Sequence, residues 1–171
     1  MSTLLVYKSS PKVKLPALAT EESACFDVES FFEVGQKIRV FNSVNRETEV
    51  LTKEIQGETA FLLHPAHRAF VPTGLIFNIP PDHVLKMYVR SSVAAKKGLV
   101  LTNGVGIIDS DYFHETHILL TNISDSIVRV VSGERLAQCK LEKNLSYSIQ
   151  ETSKKPAQRT SRAGGIGSTG D

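Results

Sequence analysis

Between about residues 36 and 149 the apolar residues come in short runs broken by turn formers: KIRVF (37–41), AFLLH (60–64), GLIFNI (74–79), VLKMYV (84–89), HILLTN (117–122), SIVRVV (126–131) and SYSIQ (146–150). Runs of this length predict strands of a sandwich or barrel, an all-β fold. Pro72, Gly74, Pro80, Pro81, Gly98, Gly104, Gly106 and Gly133 punctuate them. One short helix is predicted, SSVAAKK at 91–97, stopped by Gly98.

Two segments depart from this rhythm. Residues 43–58, SVNRETEVLTKEIQGE, are charged and poor in large apolar side chains, which predicts an exposed insertion. EVLTKEI and ETAFLLH flank Gln56-Gly57, so a protruding hairpin is expected, with Glu49 and Lys53 at i,i+4 keeping a short helix open. Beyond residue 150, ETSKKPAQRTS has no apolar pattern and reads as a polar linker to a glycine-rich end, RAGGIGSTGD. The expected organisation is one β domain over 1–150 and a flexible arm over 151–171.

A chain of 171 residues is long enough to bury roughly 70% of its unfolded surface, so its core needs no staple. The two cysteines, Cys25 and Cys139, lie far apart and match no metal-ligand spacing. The opening MSTLLVYKSS lacks the apolar core of a secretory signal, which makes a reducing cytoplasm the expected setting, or a host cytoplasm for a virus-encoded chain. No stretch approaches the roughly 18 apolar residues that a membrane span needs. A net charge of +2 argues against general nucleic-acid binding, so any polyanion must be gripped locally.

Local chemistry gathers in a few places. In GIIDSDY (106–112) two apolar residues anchor a strand that leads into Asp109, Asp111 and Tyr112. Asp109 there can take a proton from water and Tyr112 offers a flat ring, although for this segment alone an Asp-rich turn capped by a half-buried tyrosine is the simpler account. VRSSVA (89–94) places Arg90, Ser91 and Ser92 where strand gives way to helix, suited either to phosphate or to plain N-capping. SACFDVES (23–30) sets Asp27 at a strand start, and GERLAQ (133–138) joins a turn glycine to Arg135 and Gln138. The pairs His64/His67 and His114/His117 find no third ligand at a usable spacing. The glycine run at the end has the chemistry of a phosphate cradle but neither the lysine nor the following helix of a P-loop.

Taken in order, SACFDVES, VRSSVAAKKGL, NGVGIIDSDY, GERLAQ and RAGGIGSTGD resemble the five ordered motifs of the trimeric dUTP pyrophosphatases, or dUTPases. The resemblance covers nearly the whole chain. It implies a distorted jelly-roll-like β-barrel, a homotrimer with active sites built from several subunits, and hydrolysis of dUTP to dUMP and pyrophosphate, which supplies dUMP and keeps uracil out of DNA. Carried over residue by residue, it makes Asp109 the general base that activates water against the α-phosphorus. Asn103 and the backbone from Gly104 to Ile108, Gly106 included, would read the uracil edge, and Tyr112 would pack on the deoxyribose. Arg90, Ser91, Ser92 and Gln138 match phosphate-binding positions, and Asp27 would act through waters on Mg²⁺.

The same resemblance makes the glycine-rich end an arm that closes over the triphosphate, with Arg162, Gly165, Ile166, Gly167, Ser168 and Thr169 as contacts. Two positions depart from the family pattern. Ile166 stands where an aromatic residue usually stacks on uracil, and Ser161 with Arg162 after it stands where a single arginine is usual. Two other readings remain open at this point. One is a dCTP deaminase, whose related fold also carries Arg-Ser-Ser and for which Glu115 is the nearest acid–base candidate. The other is a nucleotide-switched regulatory protein that binds a protein partner through 43–58.

Overall fold

The computed structural model describes residues 3–161. In chain order the strands begin with β1 (Leu5–Lys8), β2 (Phe26–Glu29), β3 (Lys37–Phe41), β4 (Glu47–Leu51), β5 (Lys53–Ile55), β6 (Glu58–Leu63) and β7 (Arg68–Pro72). They continue with β8 (Leu75–Asn78) and β9 (His83–Val89), then helix α1 (Ser91–Lys97). After it come β10 (Leu99–Leu101), β11 (Gly106–Ile108), β12 (His117–Asn122), β13 (Val128–Val131) and β14 (Arg135–Lys143).

These strands form four antiparallel sheets, ordered β1-β8, β10-β12-β7-β3-β4, β11-β9-β14-β2 and β13-β6-β5. The fold is the expected all-β one. Alternation along each strand directs one face inward: Ile38 and Val40 of β3, Ala69 and Val71 of β7, and Ile118 and Leu120 of β12 are fully buried. Leu85 and Met87 of β9 and Leu136 and Cys139 of β14 close the core from the facing sheet. Phe32 and Phe61 meet in it edge to face at 5.5 Å.

Helix α1 has the expected bounds. Gly98 ends it in the left-handed region at φ 60°, donating its N–H to Ala94 O at 3.2 Å, and Lys96 and Lys97 occupy the last turn where cations suit the helix dipole. Ser91 and Ser92 do not cap the helix; the N-cap is Arg90, without a side-chain bond.

Residues 43–58 resolve into parts of two hairpins in different sheets. β4 folds back on β3 around Asn42, whose Oδ1 accepts from Val44 N at 3.1 Å and Arg46 N at 2.9 Å. β5 folds onto β6 around Gln56 (φ 55°) and Gly57 (φ 78°), the paired positive φ values of a tight type I′ turn. Thr52 divides the two: it is buried, and its Oγ1 accepts from Gln36 N at 2.9 Å. Glu49 pairs across the hairpin with Lys37 at 2.6 Å rather than with Lys53 along a helix.

SYSIQ is the exception among the expected strands: after Asn144, whose N–H donates to Asp82 O at 2.6 Å, residues 145–150 join no strand among the described residues. Leu145, Tyr147 and Ile149 are 80%, 79% and 89% exposed. The alternation that suggests a strand is real, but no strand among the described residues receives it.

Candidate functional site

Asn103, Gly106, Ile108, Asp109 and Tyr112 come together around one pocket of about 240 Å³. β11 supplies its wall by pairing with β9, Gly106 opposite Met87 and Ile108 opposite Leu85. Gly106 is required by closeness rather than by torsion: a Cβ there would sit 3.0 Å from Met87 Cβ, with Asn103 Nδ2 at 3.8 Å. The strand ends at Ile108, and the chain turns at once, Tyr112 N donating to Asp109 O at 3.1 Å. Asp109 is therefore exposed at the pocket's edge. Tyr112 is fixed at the same edge by its hydroxyl, which donates to Glu115 O at 3.2 Å, and by an edge-on contact with His114 at 5.7 Å.

The remaining polar candidates gather elsewhere, where β2, β9 and β14 lie side by side. Gln138 stands opposite Asp27 on one flank and Tyr88 on the other, and its Nε2 donates to Val89 O at 3.3 Å. Arg90 Nε lies 2.8 Å from Asp27 Oδ1, and Arg135 Nη1 donates to Asp27 Oδ2 at 3.2 Å. Two guanidiniums on one carboxylate leave the cluster one positive charge in excess, with the exposed hydroxyls of Ser91 and Ser92 next to it in sequence. Arg162, Gly165, Ile166, Gly167, Ser168 and Thr169 lie outside the described residues.

Sequence reasoning left Arg135 out of the site, although GERLAQ drew attention to it. It also passed over Phe70, Thr116 and His117, which line the same pocket as Asp109. Thr116 and His117 follow the Asp-rich turn so closely that the pocket's far side was foreseeable; Phe70, on β7, carried no such signal. Glu115 is engaged structurally, its carboxylate accepting from Gly74 N at 2.7 Å and Thr73 N at 3.2 Å.

The histidines form no metal centre. The His64 and His67 rings approach to 5.4 Å, and burial, then the neighbouring His64, lowers the His67 pKa from its ordinary value. Among the described residues no group of three or more His, Cys, Asp or Glu side chains could hold a metal ion, both cysteines are free, and no helix is long and apolar enough to cross a membrane.

Fourteen strands, one short helix and four antiparallel sheets among the described residues define an all-β protein with the fold of solved dUTPases. The Streptococcus mutans dUTPase superposes with a TM-score of 0.65 at 22% identity, covering 86% of this chain and 100% of that one. A Staphylococcus bacteriophage 80alpha dUTPase with dUpNHpp gives 0.73 at 19% identity, covering both chains fully. In sequence, the dUTPase family model matches residues 54–170. The deoxyuridine 5'-triphosphate nucleotidohydrolase of Brucella melitensis is 38% identical over 121 residues, 70% of this chain and 76% of that protein. The Rhizobium etli protein of the same name is 34% identical over 137 residues, 80% and 86% of the two chains. The chain belongs to the dUTPase family.

Proposed function

We propose that the chain hydrolyses dUTP to dUMP and pyrophosphate, so supplying dUMP and keeping uracil out of DNA. The observation that carries this reading is Asp109 at the edge of the pocket that Asn103, Gly106, Ile108 and Tyr112 also line. With the nucleoside in that pocket, Asp109 takes a proton from a water whose oxygen bonds to the α-phosphorus; the bond to the bridging oxygen breaks and pyrophosphate leaves. Asn103 and the backbone around Gly106 and Ile108 hold the uracil edge, and Tyr112 packs on the deoxyribose. Glu115, tied to two backbone N–H groups, is not free for the acid–base work of a deaminase.

Arg90, Ser91, Ser92 and Gln138 bind the phosphates in this reading, and they must come from another subunit. The register of β11 on β9 sets Ile108, the residue before Asp109, opposite Leu85, and the rise from there to Arg90 is about 17 Å at ~3.3 Å per residue. That is longer than a triphosphate, so a homotrimer in which one copy's cluster approaches another's pocket is the arrangement we favour. The exposed 145–150 segment supports assembly too, because its alternating Leu145, Tyr147 and Ile149 suit a strand added to another copy. Arg162, Gly165, Ile166, Gly167, Ser168 and Thr169 complete the proposed contacts to the nucleotide.

Mg²⁺ fits this cluster in one manner only. Both oxygens of Asp27 already face arginines, so the carboxylate is suited to holding a hydrated ion through its waters rather than to direct ligation, in keeping with the reluctance of Mg²⁺ to shed water. When bound, the ion would offset charge on the triphosphate. A mutant dUTPase of S. aureus phage phi11, with a TM-score of 0.65 at 20% identity, covering 90% of this chain and 98% of that one, coordinates a structural Mg(II) ion.

The test is pyrophosphate release from dUTP, dCTP, dTTP and UTP with Mg²⁺, beside an EDTA control and a measurement of mass in solution. Release from dUTP alone, lost in EDTA, by a trimer is expected. A protein silent on dUTP would overturn the reading, and ammonia from dCTP would replace it.

A further inference from the structure

Thr116 lines the pocket that holds Asp109 and is itself only 3% exposed. Its backbone is fully engaged: the N–H donates to Leu75 O at 2.8 Å and the carbonyl accepts Thr73 Oγ1 at 2.6 Å. Its side chain is not. Among the described residues Thr116 Oγ1 is one of two buried side-chain polar atoms without a hydrogen-bond partner. The other, Arg68 Nε, belongs to a guanidinium already held through its Nη2 by Asn45 Oδ1 at 2.6 Å, which leaves Thr116 as the buried polar group with no bond at all.

An unsatisfied buried hydroxyl is unfavourable, and valine would fill the same volume without that cost. The pocket indicates what the hydroxyl serves. Its floor is Met87, Thr116, Leu101 and Ile108, all less than a tenth exposed, while Tyr112 at the edge is 40% exposed. On the hydrolase reading, in which Asp109 at the edge faces the α-phosphorus, the opposite end of the nucleoside, the base, would point to the floor.

We propose that Thr116 is a further substrate-binding residue whose hydroxyl hydrogen-bonds the uracil edge on that floor. The inference rests on the hydrolase reading above. The bond needs only rotation of the threonine about χ1 between staggered wells, which turns the shielded oxygen toward the pocket. A hydroxyl both donates and accepts, so it serves a uracil carbonyl or the ring N–H equally.

The test compares wild type, Thr116→Val and Thr116→Ser by dUTP turnover, by calorimetric binding of dUMP and by thermal melting. Thr116→Val is expected to raise KM for dUTP and Kd for dUMP about tenfold, the worth of one hydrogen bond. kcat should stay within about twofold and Tm should hold or rise, because the valine removes an unpaired polar group. Thr116→Ser should restore wild-type binding. If the valine variant does not fold, Thr116→Ala supplies the same comparison. A hydroxyl-free variant that binds dUMP as wild type does, while wild type hydrolyses dUTP, would overturn this inference and leave the hydrolase reading standing. Wild type that binds dUMP without turnover, with binding weakened in Thr116→Val, would overturn the hydrolase reading and support the hydroxyl's contact with the base. A wild type that does neither would overturn both.

Discussion

Asp27 on β2 and Arg90 just past β9 meet at 2.8 Å although β14 lies between their strands. The contact crosses the top of the intervening strand, and Arg135 from β14 joins it at 3.2 Å. Asp27→Asn leaves two guanidiniums facing each other without a countercharge. The pair is about a quarter exposed, so a loss of roughly 1 kcal/mol is expected, between the values for surface and buried pairs. Urea denaturation reads that loss, and a severalfold rise in the Mg²⁺ concentration for half-maximal turnover would mark the carboxylate as the ion's holder.

Asp109→Asn keeps the shape of the pocket edge but removes the proposed proton acceptor. A fall in kcat on the order of 10²–10⁴ is expected, with dUTP affinity nearly intact. Single-turnover kinetics beside direct binding separates the two quantities, and undiminished turnover would remove Asp109 from its role.

Gly98→Ala strains the hinge between α1 and β10. The residue sits at φ 60°, and the added Cβ would meet Ser124 Cβ at 2.8 Å. A destabilisation of about 1–3 kcal/mol is expected, read as a Tm several degrees lower.

His67 gives the fold an acid-sensitive point. Burial first, and His64 second, lowers its pKa below the ordinary 6.5, so the unfolded chain binds the proton more readily than the folded one. Its contribution is fully present above that ordinary value and is lost as pH falls through the lowered folded value. Tm should drop between pH 7.5 and 5, and His67→Gln should flatten part of that dependence.

Much of this was legible in the sequence because local signals agreed with the fold. KIRVF, HILLTN and SSVAAKK have the bounds expected of them, since alternation, helix propensity and the Gly98 stop all act within a few residues. The pairing of Asp109's strand with β9, and of Asp27 with Arg90, depends on register between distant segments, which no local pattern encodes. The segment 43–58 shows the limit from the other side: its Gln56-Gly57 turn was visible, but Thr52, one buried hydroxyl, divides what looked like a single arm between two sheets. The place of Thr116 beside the Asp-rich turn was legible, but its unpaired hydroxyl was not, because such a group exists only once its surroundings are built.

The distance along β9 between the end of Asp109's strand and Arg90 has a genetic consequence. If each centre joins one copy's Asp109 to another copy's Arg90, then Asp109→Asn and Arg90→Ala chains, each inactive alone, should rescue each other when unfolded together and reassembled. Some mixed assemblies would contain a centre drawing both intact residues from different chains. Recovered turnover would show complementation between alleles of one gene, while a mixture as inactive as its parents would mean that every centre is furnished by a single chain.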